Sequence, residues 1–246
     1  MKSPWFQIRK PNARLRVICF PSAGGGGVEF LKYQRHLPEG VAICPALLPG
    51  RERRLAEPAL ESMAPLIAGL ADGLRPALDR PFAFLGHSMG SWVAFELTRE
   101  LRRRGGPQPV HLLLSGRRAP HLPERHTFHG STDEEFLTWL QGVYGAMPPE
   151  LLQNPMLLEL FLPTLRADVG LLGRYEYTEQ EPLDVPISML SGSEDKSVTA
   201  AEIAGWSRHT SSSFDFQMMP GGHFFLRDSP EDYAAVVGDR LQPYCD

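Results

Sequence analysis

Along this chain, short apolar runs alternate with stretches whose apolar residues recur every three or four positions. Residues 15–20, 41–47, 82–85, 110–114, 185–190 and 214–218 are runs of strand length. Between them the spacing predicts helices over 28–37 and over 63–78, where Leu66, Leu70, Leu74 and Leu78 share a face and Pro65 suits the first turn. A further helix is predicted after residue 90, where Val93, Leu97 and Leu101 form one stripe and Gly105-Gly106 ends it. The last is predicted over 230–241. Strands that alternate with helices in this way predict a mostly parallel sheet flanked by helices.

The alternation stops between residues 117 and 184. No strand-like run occurs there, only helical patterns over 133–143, 156–162 and 163–175. Pro163 is expected to separate the last two, because an interior proline costs a helix about 3 kcal/mol. The expected organisation is an α/β core, residues 1–116 and 185–246, interrupted by a helical insertion over 117–184. Ligands of such sheets bind beyond the carboxyl ends of the strands. An insertion that leaves from a strand end would cover that place as a lid.

One motif gives the place a chemistry. Gly86-His87-Ser88-Met89-Gly90 follows an apolar run and opens a helix, the context a nucleophile elbow requires. Glycines at 86 and 90 permit a turn tight enough to push the Ser88 hydroxyl into a cleft. A helix N-terminus behind it favours developing negative charge. The chain order expected with this elbow is serine, acid, histidine. Asp195 follows the run 185–190, and His223 follows the run 214–218. His223 would act as general base and Asp195 would orient it. Glu194 is a rival acid, and His87 is read as packing at the elbow. An oxyanion hole would use the Met89 amide and one from the loop after residue 20, for which Ala23 is the choice. The glycines at 24–27 lack the GxGxxG frame and the GK[ST] ending of nucleotide loops.

Composition narrows the class. With 246 residues, 42% of them hydrophobic, the chain can bury one sizeable core. A net charge of −4 argues against nucleic acid or anionic membrane as partner. No long apolar stretch follows the start, so neither a secretion signal nor a membrane span is expected. Cys19, Cys44 and Cys245 show no metal-like spacing. Cys19 and Cys44 fall in strand runs and read as small core residues, which fits a reducing cytoplasm.

Several segments together resemble type II thioesterases, the stand-alone α/β-hydrolases that accompany nonribosomal peptide and polyketide synthases. They are Phe20-Pro21-Ser22-Ala23-Gly24-Gly25, Leu48-Pro49-Gly50-Arg51-Glu52-Arg53-Arg54 and the elbow itself. Ser115-Gly116-Arg117-Arg118-Ala119-Pro120 and residues 160–168 resemble lid segments, and Gly192-Ser193-Glu194-Asp195 and Gly221-Gly222-His223-Phe224 the acid and histidine segments. The resemblance runs from about residue 5 to 241 and departs where relatives often carry histidine and this chain has Ser22. It implies an α/β-hydrolase fold and hydrolysis of acyl groups from the phosphopantetheine arm of acyl or peptidyl carrier proteins, with no metal or redox cofactor. A monomer is expected. The alternatives are a small-molecule esterase or lipase on the same fold, and a non-catalytic module that binds carrier proteins.

Carrier proteins are typically acidic, so a basic rim would assist docking. Arg51, Arg53, Arg54, Arg117 and Arg118 follow predicted strand ends and could form it; they could equally pin the lid to the core. Met156 and Phe161, with Leu157 and Leu160, are candidates to line an acyl channel or to fill the lid's own core.

Overall fold

A computed structural model gives the structure of the protein and describes residues 3–125, 127–130, 132–145 and 154–245. Six strands, β1 (Leu15–Phe20), β2 (Val41–Pro45), β3 (Phe82–His87), β4 (Leu112–Ser115), β5 (Ile187–Gly192) and β6 (Phe214–Met219), form one sheet in the order β2-β1-β3-β4-β5-β6. Every neighbouring pair is parallel. The helices are α1 (Met63–Leu74), α2 (Met89–Arg103), α3 (Asp133–Tyr144), α4 (Pro155–Gly173), α5 (Ala200–Ala204), α6 (Phe225–Asp228) and α7 (Pro230–Leu241).

Covered on both faces, strands β1 to β5 are buried along their whole length, which is why they read as unbroken apolar runs. Alternate residues of β1 point to opposite layers. Ile18 and Phe20 join the side chains of α1 and α2, with Phe20 edge-on to Phe84 at 5.2 Å. Leu15, Val17 and Cys19 join Phe30, Tyr33 and the α7 residues Tyr233, Val237 and Leu241. Cys19, Cys44 and Cys245 are buried and form no disulfide with one another. Burial holds the Cys44 thiol up at about 12, so the expected packing role is what it performs.

Element ends shift by a few residues, as where β2 stops at Pro45, α1 at Leu74 and β4 starts at Leu112, and three changes have a clear physical cause. Gly27–His36 winds as 3-10 turns rather than an α-helix. Its buried residues are Gly27, Phe30 and Tyr33, a three-residue period that matches a 3-10 ridge. The Gln34 side chain, bonded to the Val41 carbonyl and the Ile43 amide at 3.0 and 2.9 Å, ties it to β2. Strand β5 begins two residues later than expected, after Pro186, whose ring offers no N–H to a ladder. Helix α4 runs unbroken through Pro163. The carbonyl four residues back belongs to exposed Glu159 and can be solvated, while buried Leu162, Leu165, Asp168, Leu171 and Leu172 anchor the second half of the helix.

Helices α3 and α4 lie between β4 and β5 in the chain. Of the expected insertion, residues 126, 131 and 146–153 lie outside the described residues. Thr132 and Glu135 form a capping box at the start of α3, and the Asn154 side chain accepts from the Leu157 amide at 3.2 Å at the start of α4. Phe136 and Leu140 of α3 pack on Leu162 and Leu165 of α4, forming a small second core that also takes in Ala23.

Candidate active site

Between β3 and α2 the chain passes through Ser88 with φ 55° and ψ −116°, a strained conformation for a residue with a side chain. Any Cβ at residue 86 would overlap the Gly90 carbonyl, and one at 90 would overlap the Phe20 carbonyl. Both glycines of the elbow are therefore required by close backbone approach. The Ser88 amide donates to the Ser115 carbonyl at 2.8 Å, fixing the elbow to the end of β4.

Parallel strands deliver the other two groups to the same edge. Asp195 follows β5 and His223 follows β6. The loops that carry them touch at Gly192, where a Cβ would overlap the Gly221 and Gly222 carbonyls. His223 Nε2 lies 3.0 Å from Ser88 Oγ and its Nδ1 lies 2.8 Å from Asp195 Oδ2. All three residues are buried. Glu194 is exposed and it is Asp195 that meets His223 Nδ1, so the rival acid is set aside.

Ser197, which nothing in the sequence singled out, completes the acid's surroundings. Its hydroxyl and its amide donate to Asp195 Oδ1 at 2.6 and 2.9 Å, and the same hydroxyl oxygen lies 3.1 Å from His223 Nδ1. Burial alone would raise the Asp195 carboxyl, but hydrogen bonds from His223 and Ser197 outweigh it and hold the group below the usual carboxylate range. The imidazole is also boxed in by rings. His87 packs 5.1 Å from it, Phe224 5.0 Å and Tyr144 of α3 4.8 Å. His87 is buried, with Nδ1 2.9 Å from Ser115 Oγ, and burial pushes its pKa well below the ordinary histidine value. It is the packing residue expected.

Met89 is the first residue of α2, so its amide has no partner within the helix. Ala23 sits in a turn closed by the Gly25 amide donating to the Ser22 carbonyl at 2.9 Å, with Gly24 at φ 69°. The tight approach of Gly90 to Phe20 sets this loop beside the elbow. Among the described residues no cluster of His, Cys, Asp and Glu is arranged to hold a metal ion.

The structure buries four of the five arginines offered as a basic rim, and Arg51 takes the other role the sequence allowed, pinning the insertion to the core. Arg51 is 7% exposed and grips Asp168 of α4 with two nitrogens, at 2.7 and 2.8 Å. Buried Arg54 pairs with Glu57 and stacks on Trp5, and buried Arg117 pairs with Glu124 and stacks 3.7 Å over Trp92. Arg118 is buried against Glu202 and the Pro123 carbonyl. Buried, neutralised guanidinium groups offer nothing to an acidic surface; Arg53 alone of the five is exposed. Met156, 81% exposed, and Phe161, 40% exposed, are not the filling of the α3–α4 core. Phe161 lies over Gly24, where a Cβ would stand 3.3 Å from its ring.

A family model described as thioesterase domain matches residues 15–241. This chain belongs to the thioesterase family. Linear gramicidin dehydrogenase LgrE of Brevibacillus parabrevis is 40% identical over 98% of this thioesterase and 94% of its own length. The RedJ thioesterase from the prodiginine pathway of Streptomyces coelicolor superposes with a TM-score of 0.86 at 36% identity, covering 93% of this chain and 86% of its own. YbtT, a type II thioesterase from the yersiniabactin NRPS/PKS pathway, gives 0.85 at 30%, covering 98% and 100%. The thioesterase thus has the α/β-hydrolase fold of these neighbours, and its homologues include type II thioesterases of NRPS/PKS pathways. The word dehydrogenase describes the first relative; the glycine loop at 24–27 here has no GxGxxG frame. No helix of the described residues is long and apolar enough to cross a membrane.

Proposed function

We propose that this thioesterase is an editing enzyme that hydrolyses acyl groups from the phosphopantetheine arm of acyl or peptidyl carrier proteins. In this reading it works as a monomer in the cytoplasm beside a nonribosomal peptide or polyketide synthase and clears aberrant or stalled acyl units. The observation that carries it is the line of contacts from Ser88 through His223 to Asp195, at 3.0 and 2.8 Å. The biosynthetic pathways of RedJ and YbtT support the carrier protein as partner.

The chemistry takes two steps. Ser88 Oγ attacks the thioester carbonyl carbon while His223 Nε2 takes the hydroxyl proton. Asp195 accepts from His223 Nδ1–H and stabilises the imidazolium. The amides of Met89 and Ala23 receive the negative oxygen of the tetrahedral intermediate. Its collapse breaks the C–S bond, His223 returns the proton to the departing thiolate, and the acyl group stays as an ester on Ser88. Water then loses a proton to His223 and attacks that ester; Ser88 leaves with the proton and a free acid is released. No metal or redox group is called for. The helical insertion, residues 117–184, serves as the lid of this site, supported by Tyr144 over His223 and by Ala23 in the α3–α4 core.

The test is thiol release from an acyl-N-acetylcysteamine thioester. Turnover by the native protein and none by Ser88→Ala is expected. Turnover that survives Ser88→Ala would reject the proposed nucleophile.

A further inference from the structure

The catalytic cycle above makes no use of a deeply buried ion pair that joins the sheet to the helical insertion. Arg51 follows β2 and Asp168 lies on α4, 117 residues later. Their side chains are 7% and 3% exposed. A fork-to-fork pair of this kind holds two partners in one geometry, and removing either charge leaves the other buried and uncompensated.

The pair does more than join α4 to the core. Asp168 Oδ2 also accepts from the Gly24 amide at 2.8 Å, and Arg51 Nη1 also donates to the Gly25 carbonyl at 3.2 Å. Gly24 and Gly25 are the two residues after Ala23. With φ at 69°, Gly24 occupies a backbone region that glycine can leave at little cost, so the Ala23–Gly24 peptide plane is free to turn unless something holds it. What holds it is a carboxylate from another part of the chain. Leu165 of the same helix stands 2.8 Å from where a Gly24 Cβ would be, and Thr164 Oγ1 donates to the Gly50 carbonyl at 2.7 Å. One face of α4 is therefore moulded onto the loops that follow β1 and β2.

We propose that Asp168, gripped by Arg51, is a positioning residue for the oxyanion hole: it anchors the Gly24–Gly25 end of the turn to α4 and so fixes where that turn holds the Ala23 amide relative to the carbonyl under attack. The proposal rests on the assignment of Ala23 as an oxyanion donor. Asp168 touches no reacting atom. It acts through the loop, and it makes the oxyanion hole complete only while α4 is seated. Seating of the insertion and readiness of the catalytic centre become one event.

The experiment compares native enzyme, Asp168→Asn and Arg51→Lys on two substrates, an acyl-N-acetylcysteamine thioester and a p-nitrophenyl ester of the same acid. It also measures the inhibition constant of an alkyl trifluoromethyl ketone, which forms an oxyanionic adduct with the serine. Loss of aim should lower kcat by about 10- to 100-fold with KM changed less than about threefold, and weaken the ketone by a similar factor. Arg51→Lys keeps the charge and serves if Asp168→Asn does not fold; the same pattern is expected at the lower end of that range. A variant with native kcat overturns the proposal. So does a fall in kcat with the ketone still bound at native strength, because the pair would then be merely structural. If the native protein cleaves the ester but not the thioester, the thioesterase reading fails while the ester still reports on the oxyanion hole.

Discussion

Ser197→Ala isolates the one hydroxyl that supports the acid of the proposed triad. In the structure that hydroxyl donates to Asp195 Oδ1 at 2.6 Å inside a buried site. A hydrogen bond to a charged group is worth about 1.5–3 kcal/mol, which at about 1.4 kcal/mol per factor of ten gives a ceiling of roughly 10- to 150-fold in rate. Two contacts remain after the substitution, the Ser197 amide on Oδ1 at 2.9 Å and His223 Nδ1 on Oδ2 at 2.8 Å. The expected loss therefore lies near the lower end, about tenfold in kcat, with KM little changed. The assay is thiol release from an acyl-N-acetylcysteamine thioester, with Ser197→Thr expected to restore the rate. Native kcat in Ser197→Ala, or a change confined to KM, would refute the reasoning.

Three further outcomes follow from other parts of the molecule. Gly90→Ala should abolish hydrolysis and lower the yield of folded protein, because its methyl would overlap the Phe20 carbonyl; soluble, active Gly90→Ala would contradict the elbow geometry. Arg117→Ala should destabilise the fold by about 2 kcal/mol in urea titration by removing a buried guanidinium that pairs with Glu124 and stacks on Trp92, whereas a docking role would show as a raised KM for carrier protein at native stability. Acid should destabilise the fold below about pH 6.5. Burial, the main cause, lowers His111 to about 4 and His209 to about 3, so the unfolded chain binds protons that the folded chain refuses. Stability is then full above 6.5 and falls toward those values, with His111 alone costing about 2 kcal/mol at pH 5; urea midpoints that do not change between pH 7 and 5 would count against it.

Much of the fold was legible because a doubly covered parallel strand has to be apolar on both faces, and runs such as 15–20 and 82–85 stand out for that reason. The elbow was legible because two close backbone approaches impose glycine at fixed offsets from Ser88. Chain order and strand ends then pointed to Asp195 and His223, which the structure brings together. The arginines stayed open between a rim and a pin because charge reads as surface until its partner is known. Arg51 meets Asp168 and Arg118 meets Glu202 only after the chain has folded. Ser197 and Tyr144 carried no signal, since a serine two residues past an acid and a tyrosine at a helix end are ordinary in sequence. Pro163 misled because local propensity was outweighed by the packing of α4.

The central claim, that Ser88 clears acyl groups from a carrier protein, is tested most directly by intact-mass measurement of an acylated carrier protein incubated with the native enzyme and with Ser88→Ala. The account predicts loss of the acyl mass with the native enzyme alone, at a rate well above its turnover of a simple ester. A carrier protein that keeps its acyl group while the simple ester is cleaved would contradict it and leave an esterase on the same fold.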